Sequence, residues 1–359
     1  MSKEKGINVV VVGAGAVGVE MLRVLKRRKF PVRALRVFAR RARDIIVDGT
    51  TYHVENISPE GFEDMDIALF AGTEGEKGAS VTYASEAVKR NCVVIDNGAD
   101  FRMREDVPLV VPEVNPQDLE KHKGIIANPN CSTIQMVVAL YPIYREFGIR
   151  RILVTTYQAS SGAGRSAQEQ LWKETEEVVL RIKKEDTRLS VPEFLEEIKV
   201  KDGKKVMPHQ LAFNCFPHIG SFGEYDYSSE EWKMVRETHK IFSDNSIHIS
   251  ATCVRIPVFR GHAEAVYIET QKAVDPQQIK MLLQESPGIE VVDNPQQNIY
   301  PLPIDSASRE EVFVGRIRKD PFSSYGLWLW IVSDNLWKGA SLNAVQIAEL
   351  ILQKNLFLR

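Results

Sequence analysis

Runs of consecutive β-branched residues alternate along this chain with stretches in which apolar residues recur every three or four positions. That alternation predicts an α/β protein. Ile7-Asn8-Val9-Val10-Val11-Val12 reads as a parallel strand buried on both faces, and Val19-Glu20-Met21-Leu22-Arg23-Val24-Leu25 as an amphipathic helix. Strands are expected near 34–39, 66–73 and 92–97, with a helix running through 85–90, which is the doubly wound pattern. After residue 131 the character changes. A strand over 151–159 leads into the small-residue loop Ser160-Ser161-Gly162-Ala163-Gly164-Arg165, and a mixed-charge, largely helical region runs from 168 to about 205. Extended structure is expected again over 212–218, a helix from Ser228-Ser229-Glu230-Glu231, and strands near 249–258, 261–267, 312–318 and 326–332. A long helix follows Asp334-Asn335. Its apolar spacing through Ala340, Ala344, Ile347, Ala348, Leu350 and Ile351 suits packing on the sheet of the first domain.

The first strand ends in Gly13-Ala14-Gly15-Ala16-Val17-Gly18. A G-x-G-x-x-G in this strand–turn–helix setting lets a pyrophosphate approach a helix N-terminus closely, so these residues are candidates for a dinucleotide site. About 20 residues after the first glycine, an NAD-binding unit carries an acidic residue for the ribose hydroxyls. Here that region reads Arg40-Arg41-Ala42-Arg43, which suits a 2′-phosphate and favours NADP, or is a solvated basic loop.

The stretch Asn128-Pro129-Asn130-Cys131-Ser132-Thr133 delivers one cysteine to the start of the apolar run Ile134-Gln135-Met136-Val137-Val138-Ala139-Leu140. In the first turn of a helix, unpaired N–H groups and the dipole favour a thiolate, a strong nucleophile. The alternative is a small buried apolar residue. Arg102 and Arg104 follow a strand end, where open α/β sheets bind ligands, and either could hold a phosphate or lie at the surface. Glu230 and Lys233 share a helix face, Arg255 sits among apolar neighbours and needs a partner, and His262 opens a strand as a structural, surface or acid/base histidine.

The chain has 359 residues, enough for two domains, with 44% apolar and 26% charged residues and a formal net charge of −2. That balance gives no electrostatic case for nucleic acid or an anionic membrane. Four scattered cysteines without a C-x-x-C pair argue against a disulfide scaffold or zinc site and suit a reducing cytoplasm. No signal peptide, membrane span or repeat is read from the sequence.

Taken together, these segments resemble the aspartate-β-semialdehyde dehydrogenase family over nearly the whole chain. The resemblance is carried by Gly13 to Gly18, Asp96-Asn97 with Phe101-Arg102, Asn128 to Thr133, Tyr157-Gln158-Ala159 with Ser161-Gly162, Glu230 to Met234, Ser250 to Pro257 with Gly261-His262, and Asp334 to Ala340. It implies a Rossmann-like NADP-binding domain of residues 1–130 with 338–359, and an α+β catalytic and dimerisation domain of 131–337. The activity implied is NADPH-dependent reduction of L-aspartyl 4-phosphate to the semialdehyde, with phosphate as co-substrate in reverse, in a cytoplasmic homodimer or tetramer. Cys131 would be the nucleophile, His262 the acid/base, and Gln158 would position the thioester. Arg255 and Glu230 would bind the α-carboxylate and amino group, Arg102 and Lys233 the phosphate. Gly13, Gly15, Ala16, Val17, Gly18, Arg40, Arg41, Gly72, Ser161, Gly162 and Asn335 would contact the cofactor. The chain departs from the family's pattern at Gly15, at the acid of Ala71-Gly72-Thr73-Glu74-Gly75, and at Arg40-Arg41-Ala42. Reductases of N-acetylglutamyl phosphate or malonyl-CoA, and a catalytically silent relative, are the rival readings.

Overall fold

A computed structural model describes residues 6–72, 78–184, 191–200 and 206–358. Thr73, Glu74 and Gly75 of the acid-bearing loop lie outside the described residues. The chain runs β1 (Ile7–Val12), α1 (Ala16–Arg27), β2 (Val32–Ala39), β3 (Arg43–Val47), β4 (Thr50–Asn56), β5 (Ile67–Phe70), α2 (Ala79–Lys89), β6 (Val93–Asp96) and β7 (Ile125–Ala127). It continues with α3 (Cys131–Phe147), β8 (Ile149–Gln158), α4 (Arg165–Lys184), α5 (Val191–Glu197), α6 (Ser229–Phe242), β9 (His248–Arg255), β10 (His262–Thr270) and α7 (Pro276–Gln284). The last elements are β11 (Ile289–Val291), α8 (Pro303–Ser306), β12 (Val312–Lys319), β13 (Gly326–Ser333) and α9 (Leu342–Lys354).

Two sheets result. The first has strand order β3-β4-β2-β1-β5-β6-β7 and is parallel apart from the antiparallel edge strand β3. Its order reverses at β1, so the crevice where ligands bind in such sheets opens beyond the carboxyl ends of β1 and its neighbours. The second is mixed, in the order β11-β12-β13-β10-β8-β9. On one face of the first sheet Val9 and Val11 pack with Met21 and Leu22 of α1 and with Ala344, Val345, Ile347 and Ile351 of α9. The C-terminal helix therefore returns to the first sheet, as its spacing predicts. On the other face Val10, Val12 and Phe70 join one apolar core with Ile134, Val137 and Val138 of α3 and with Val154, Val266 and Ile331 of the second sheet. Helix α3 is thus clamped between the sheets.

Two elements differ from the sequence expectation. Residues 212–218 form no strand; an isolated bridge between Phe216 and Arg255 is the extended pairing there. Phe213 has φ 58°, and Pro217 has no N–H to give a ladder. The segment after Asn335 does not start as an α-helix. Trp337–Ser341 makes a π turn before α9, with the Asp334 carboxylate accepting from the amides of Leu336 and Trp337. The buried Lys338 ammonium is held there by Glu113, Asn343 and Gln346 at 2.6, 3.0 and 2.8 Å.

Helix α6 starts in a reciprocal cap. Ser228 Oγ accepts from the Glu231 amide at 3.3 Å, and the Glu231 carboxylate accepts from the Ser228 amide at 2.7 Å. The other Glu231 oxygen accepts from the Cys253 amide and so ties α6 to β9. Ser228→Ala removes one arm of this box; it should lower stability by about 1 kcal/mol, read as a lower urea midpoint at unchanged slope.

Candidate active site

Cys131 is the first residue of α3 and lines a cavity of about 210 Å³ between the two sheets. Its backbone is set by charge. Glu237 of α6 accepts from the Asn130 amide at 2.7 Å through one carboxylate oxygen and from Arg102 Nη1 at 3.0 Å through the other. Arg102 also donates to the Asn128 and Asn97 carbonyls at 3.0 and 2.7 Å. On the opposite side the π turn presses Gly339 against the cysteine: a Cβ there would lie 2.8 Å from Cys131 Cβ, a distance real side chains do not tolerate.

A second group of contacts sets the floor of the cavity. Glu230 is buried, and its Oε1 accepts from Asn130 Nδ2 at 2.9 Å and Gln158 Nε2 at 3.1 Å. Gln158 Nε2 also donates to Ser132 Oγ at 2.7 Å. Lys233 Nζ is 3.7 Å from Glu230 Oε2, and both residues line the cavity. Arg255, the last residue of β9, is buried; Nη1 donates to the Ala159 carbonyl, while Nε has no hydrogen-bond partner.

His262 opens β10 and is fully buried. Its Nδ1 accepts from the Ala159 amide at 3.0 Å, so the neutral ring carries its proton on Nε2. That nitrogen has no partner, and the Gly162 backbone lies over it: a Cβ on Gly162 would be 3.1 Å from Nε2 and 3.2 Å from Arg255 Nη1. His262 therefore sits behind Gly162 rather than on the cavity wall. Burial, then the Arg255 charge, hold its pKa well below the ordinary histidine range.

The thiolate expected from the helix start is not what the surroundings favour. Burial, then the Glu230 charge, push the Cys131 thiol up to about 12. The Arg102 and Arg255 charges oppose this but do not outweigh it. The other cysteines lie elsewhere: Cys92 and Cys253 are buried and Cys215 is exposed.

A larger cavity of about 500 Å³ opens in front of α1. It is lined by Gly13, Gly15, Ala16, Val17, Gly18, Arg40 and Gly72, among others. Gly13 has φ 108°, and a Cβ on Gly18 would lie 1.7 Å from the Gly13 carbonyl oxygen, so only glycines let the turn and helix meet this closely. At Gly15 nothing lies within 4 Å of where a Cβ would point, which leaves the helix N-terminus open to an approaching anion. These residues fit a dinucleotide. Val17, Ala71, Gly72, Ser161 and Gly162 line this cavity and that of Cys131 alike. Asn335 lines the cysteine cavity, and its Oδ1 accepts from Ser161 Oγ and the Gly261 amide, both at 3.0 Å.

The structure thus brings Cys131, Gln158, Glu230, Lys233, Arg102, Arg255, Ser161, Gly162 and Asn335 to one cavity. Arg41 is exposed and not on the nucleotide cavity wall, because the chain turns away after β2 and Arg40 alone of the pair faces it. Arg104 pairs with exposed Asp106 and reaches no cavity described here. Sequence reasoning missed Glu237 and Gly339. Glu237 follows Glu230 by seven residues and Lys233 by four, a helical spacing that places all three on one face; the Gly339 contact leaves no local signal. Among the described residues, no group of three or more His, Cys, Asp or Glu side chains is placed to hold a metal ion, and no helix is long and apolar enough to cross a membrane.

Two family models cover most of the chain: "Semialdehyde dehydrogenase, NAD binding domain" matches residues 8–122, and "Semialdehyde dehydrogenase, dimerisation domain" matches residues 140–338. The chain belongs to the semialdehyde dehydrogenase family. It is an oxidoreductase family with a nicotinamide-binding domain, and its second domain is one of oligomerisation. The chain is 48% identical to the aspartate-semialdehyde dehydrogenase of Aquifex aeolicus over 98% of this chain and 99% of that one. It is 46% identical to that of Bacillus subtilis, with the same coverage. A crystal structure of aspartate semialdehyde dehydrogenase II from Vibrio cholerae, complexed with ASA, superposes with a TM-score of 0.88 at 41% identity, covering 98% of this chain and 99% of that one.

Since burial and Glu230 both hold the Cys131 proton, alkylation of Cys131 by iodoacetamide should be slow near neutrality and climb steadily as pH rises toward about 12. Glu230→Gln removes the negative charge and keeps an acceptor for Asn130. It should lower the thiol pKa and speed alkylation at fixed, mildly alkaline pH by up to about tenfold. An unchanged or slower rate would show that Glu230 does not govern the thiol.

Proposed function

We propose that the protein is an aspartate-semialdehyde dehydrogenase that reduces L-aspartyl 4-phosphate with NADPH, and in reverse oxidises the semialdehyde with phosphate. The observation that carries this reading is the placement of Cys131 between a dinucleotide-shaped cavity on one side and Arg102 and Lys233 on the other, with Glu230 and Arg255 beside it. Glu230 and Arg255 suit a free amino group and a carboxylate on the same small molecule. A coenzyme A thioester has no use for a buried carboxylate at that point. The relatives' names agree with this choice.

In the reductive direction the Cys131 thiol gives its proton to solvent, and the thiolate, a minor form whose share the Arg102 and Arg255 charges raise, attacks the acyl phosphate carbonyl. A C–S bond forms, the C–O bond to phosphate breaks, and phosphate leaves toward Arg102 and Lys233. Gln158, locked by Ser132 and Glu230, positions the thioester. The nicotinamide supplies the hydride in this direction and accepts it in the other. We assign the general-acid role to His262, whose Nδ1 is occupied by the Ala159 amide and whose unpartnered Nε2–H lies just behind Gly162; the Gly162 backbone must shift aside for that proton to reach the oxygen that becomes negative. The C–S bond then breaks while the hydroxyl proton returns to His262, so that Cys131 leaves as thiolate and the aldehyde is released.

We assign NADP over NAD to Arg40, a cation on the wall of the nucleotide cavity at the end of β2 that suits a 2′-phosphate. Residues 1–130 with 338–359 are assigned to cofactor binding and 131–337 to catalysis and assembly, with a homodimer formed through the second domain, in the cytoplasm. The reading is tested by following NADP reduction with aspartate semialdehyde, with and without phosphate. Phosphate-dependent NADPH formation is expected, reduced more than about a thousandfold by Cys131→Ser with NADPH binding retained. Undiminished turnover in that variant would remove Cys131 from the reaction.

A further inference from the structure

The Arg102 and Lys233 side of the cysteine cavity has a second room behind it. A separate cavity of about 350 Å³ lies between the loop after β6, the segment 221–229 and the outer face of α6. Arg102 and Lys233 line both rooms. The outer room is completed by Met103, Tyr227, Trp232 and Arg236, with the Glu224 and Glu237 carboxylates also on its wall. Glu237 is committed to Arg102 and the Asn130 amide. Arg236 lies one turn beyond Lys233 on α6. It is exposed, forms no ion pair with a carboxylate among the described residues, and its guanidinium is held over the Trp232 ring at 4.6 Å.

The order of the rooms sets a traffic problem. The cysteine cavity adjoins the nucleotide cavity through Val17, Ala71, Gly72, Ser161 and Gly162, so a bound dinucleotide closes that side. In the oxidative direction phosphate must reach a thioester held inside a cavity of about 210 Å³. Arg102 and Lys233 supply cations to the wall that remains, beside Pro129, Ile219, Leu336 and Ala340. Behind them lies a room whose one cation without a carboxylate partner is Arg236.

We propose that this outer room is the antechamber through which inorganic phosphate enters and leaves, with Arg236 as its capturing cation, stacked on Trp232 and handing the anion to Lys233 and Arg102. The proposal rests on the phosphorylating reading above and adds a phosphate station outside the reaction cavity. A planar guanidinium offers a fork of donors to a tetrahedral oxyanion, and its ring stacking keeps that fork pre-oriented. Phosphate capture at a partly exposed cation is screened by salt.

The test is steady-state kinetics of the full-length protein in the oxidative direction, varying phosphate, NADP and aspartate semialdehyde in turn, for the wild type, Arg236→Ala and Arg236→Lys. Arg236→Ala should raise KM for phosphate by about two- to fivefold, the upper part of the range of one exposed charge contact, without a matching rise for the other two substrates. The salt dependence of kcat/KM for phosphate should flatten, and Arg236→Lys should recover much of both. An unchanged phosphate KM, or an equal rise for all three substrates, would overturn the antechamber. A wild-type protein that oxidises the semialdehyde with no need for phosphate would instead overturn the reading on which it rests.

Discussion

The buried junction of Glu237 with Arg102 and the Asn130 amide is the constraint on which the site depends. Both side chains are almost wholly buried, Glu237 at 2% and Arg102 at 6% exposure. Removing one partner of such a pair leaves a charge without solvent or counterion, a cost of about 3–5 kcal/mol. The junction joins three parts of the chain that are far apart in sequence: the loop after β6, the start of α3 and the middle of α6. It fixes the residue before Cys131 while Gly339 fixes the space behind it, so the cysteine has little freedom to miss its target.

The same enclosure works against the chemistry the cysteine must do. Burial and the Glu230 charge hold the thiol protonated, and burial with Arg255 holds His262 neutral. A cysteine at a helix start would be expected to ionise readily, yet here desolvation outweighs the backbone dipole. The charges that favour the thiolate, Arg102 and Arg255, are those assigned to the anionic groups of the substrate. Thiol ionisation is thus set first by desolvation and then by the balance between one buried carboxylate and two buried guanidiniums, and the Glu230 contacts to Asn130 and Gln158 keep that carboxylate in place.

Much of this was legible in the sequence because it is local. The all-apolar β1, the glycine turn, the polar turn that starts α3 and the serine–glutamate cap of α6 each carry their signal within a few residues. The return of α9 to the first sheet could be read from its three-and-four spacing. What could not be read is what depends on distant partners. The Cys131 pKa depends on Glu230, about a hundred residues on, and the fit of Gly339 depends on the π turn at Trp337–Ser341. Residues 212–218 have strand-like composition but form only one bridge, and Arg41 has the right charge but lies off the cavity wall. Composition alone does not report direction.

The central claim is that Cys131 carries the acyl group. The most direct measurement is intact-protein mass spectrometry, followed by peptide mapping, after mixing the protein with NADP and aspartate semialdehyde in phosphate-free buffer. The account predicts a mass increase of one aspartyl group, localised to the Cys131 peptide and discharged on addition of phosphate. An adduct on Cys92, Cys215 or Cys253, or a burst of NADPH with no adduct on Cys131, would contradict it.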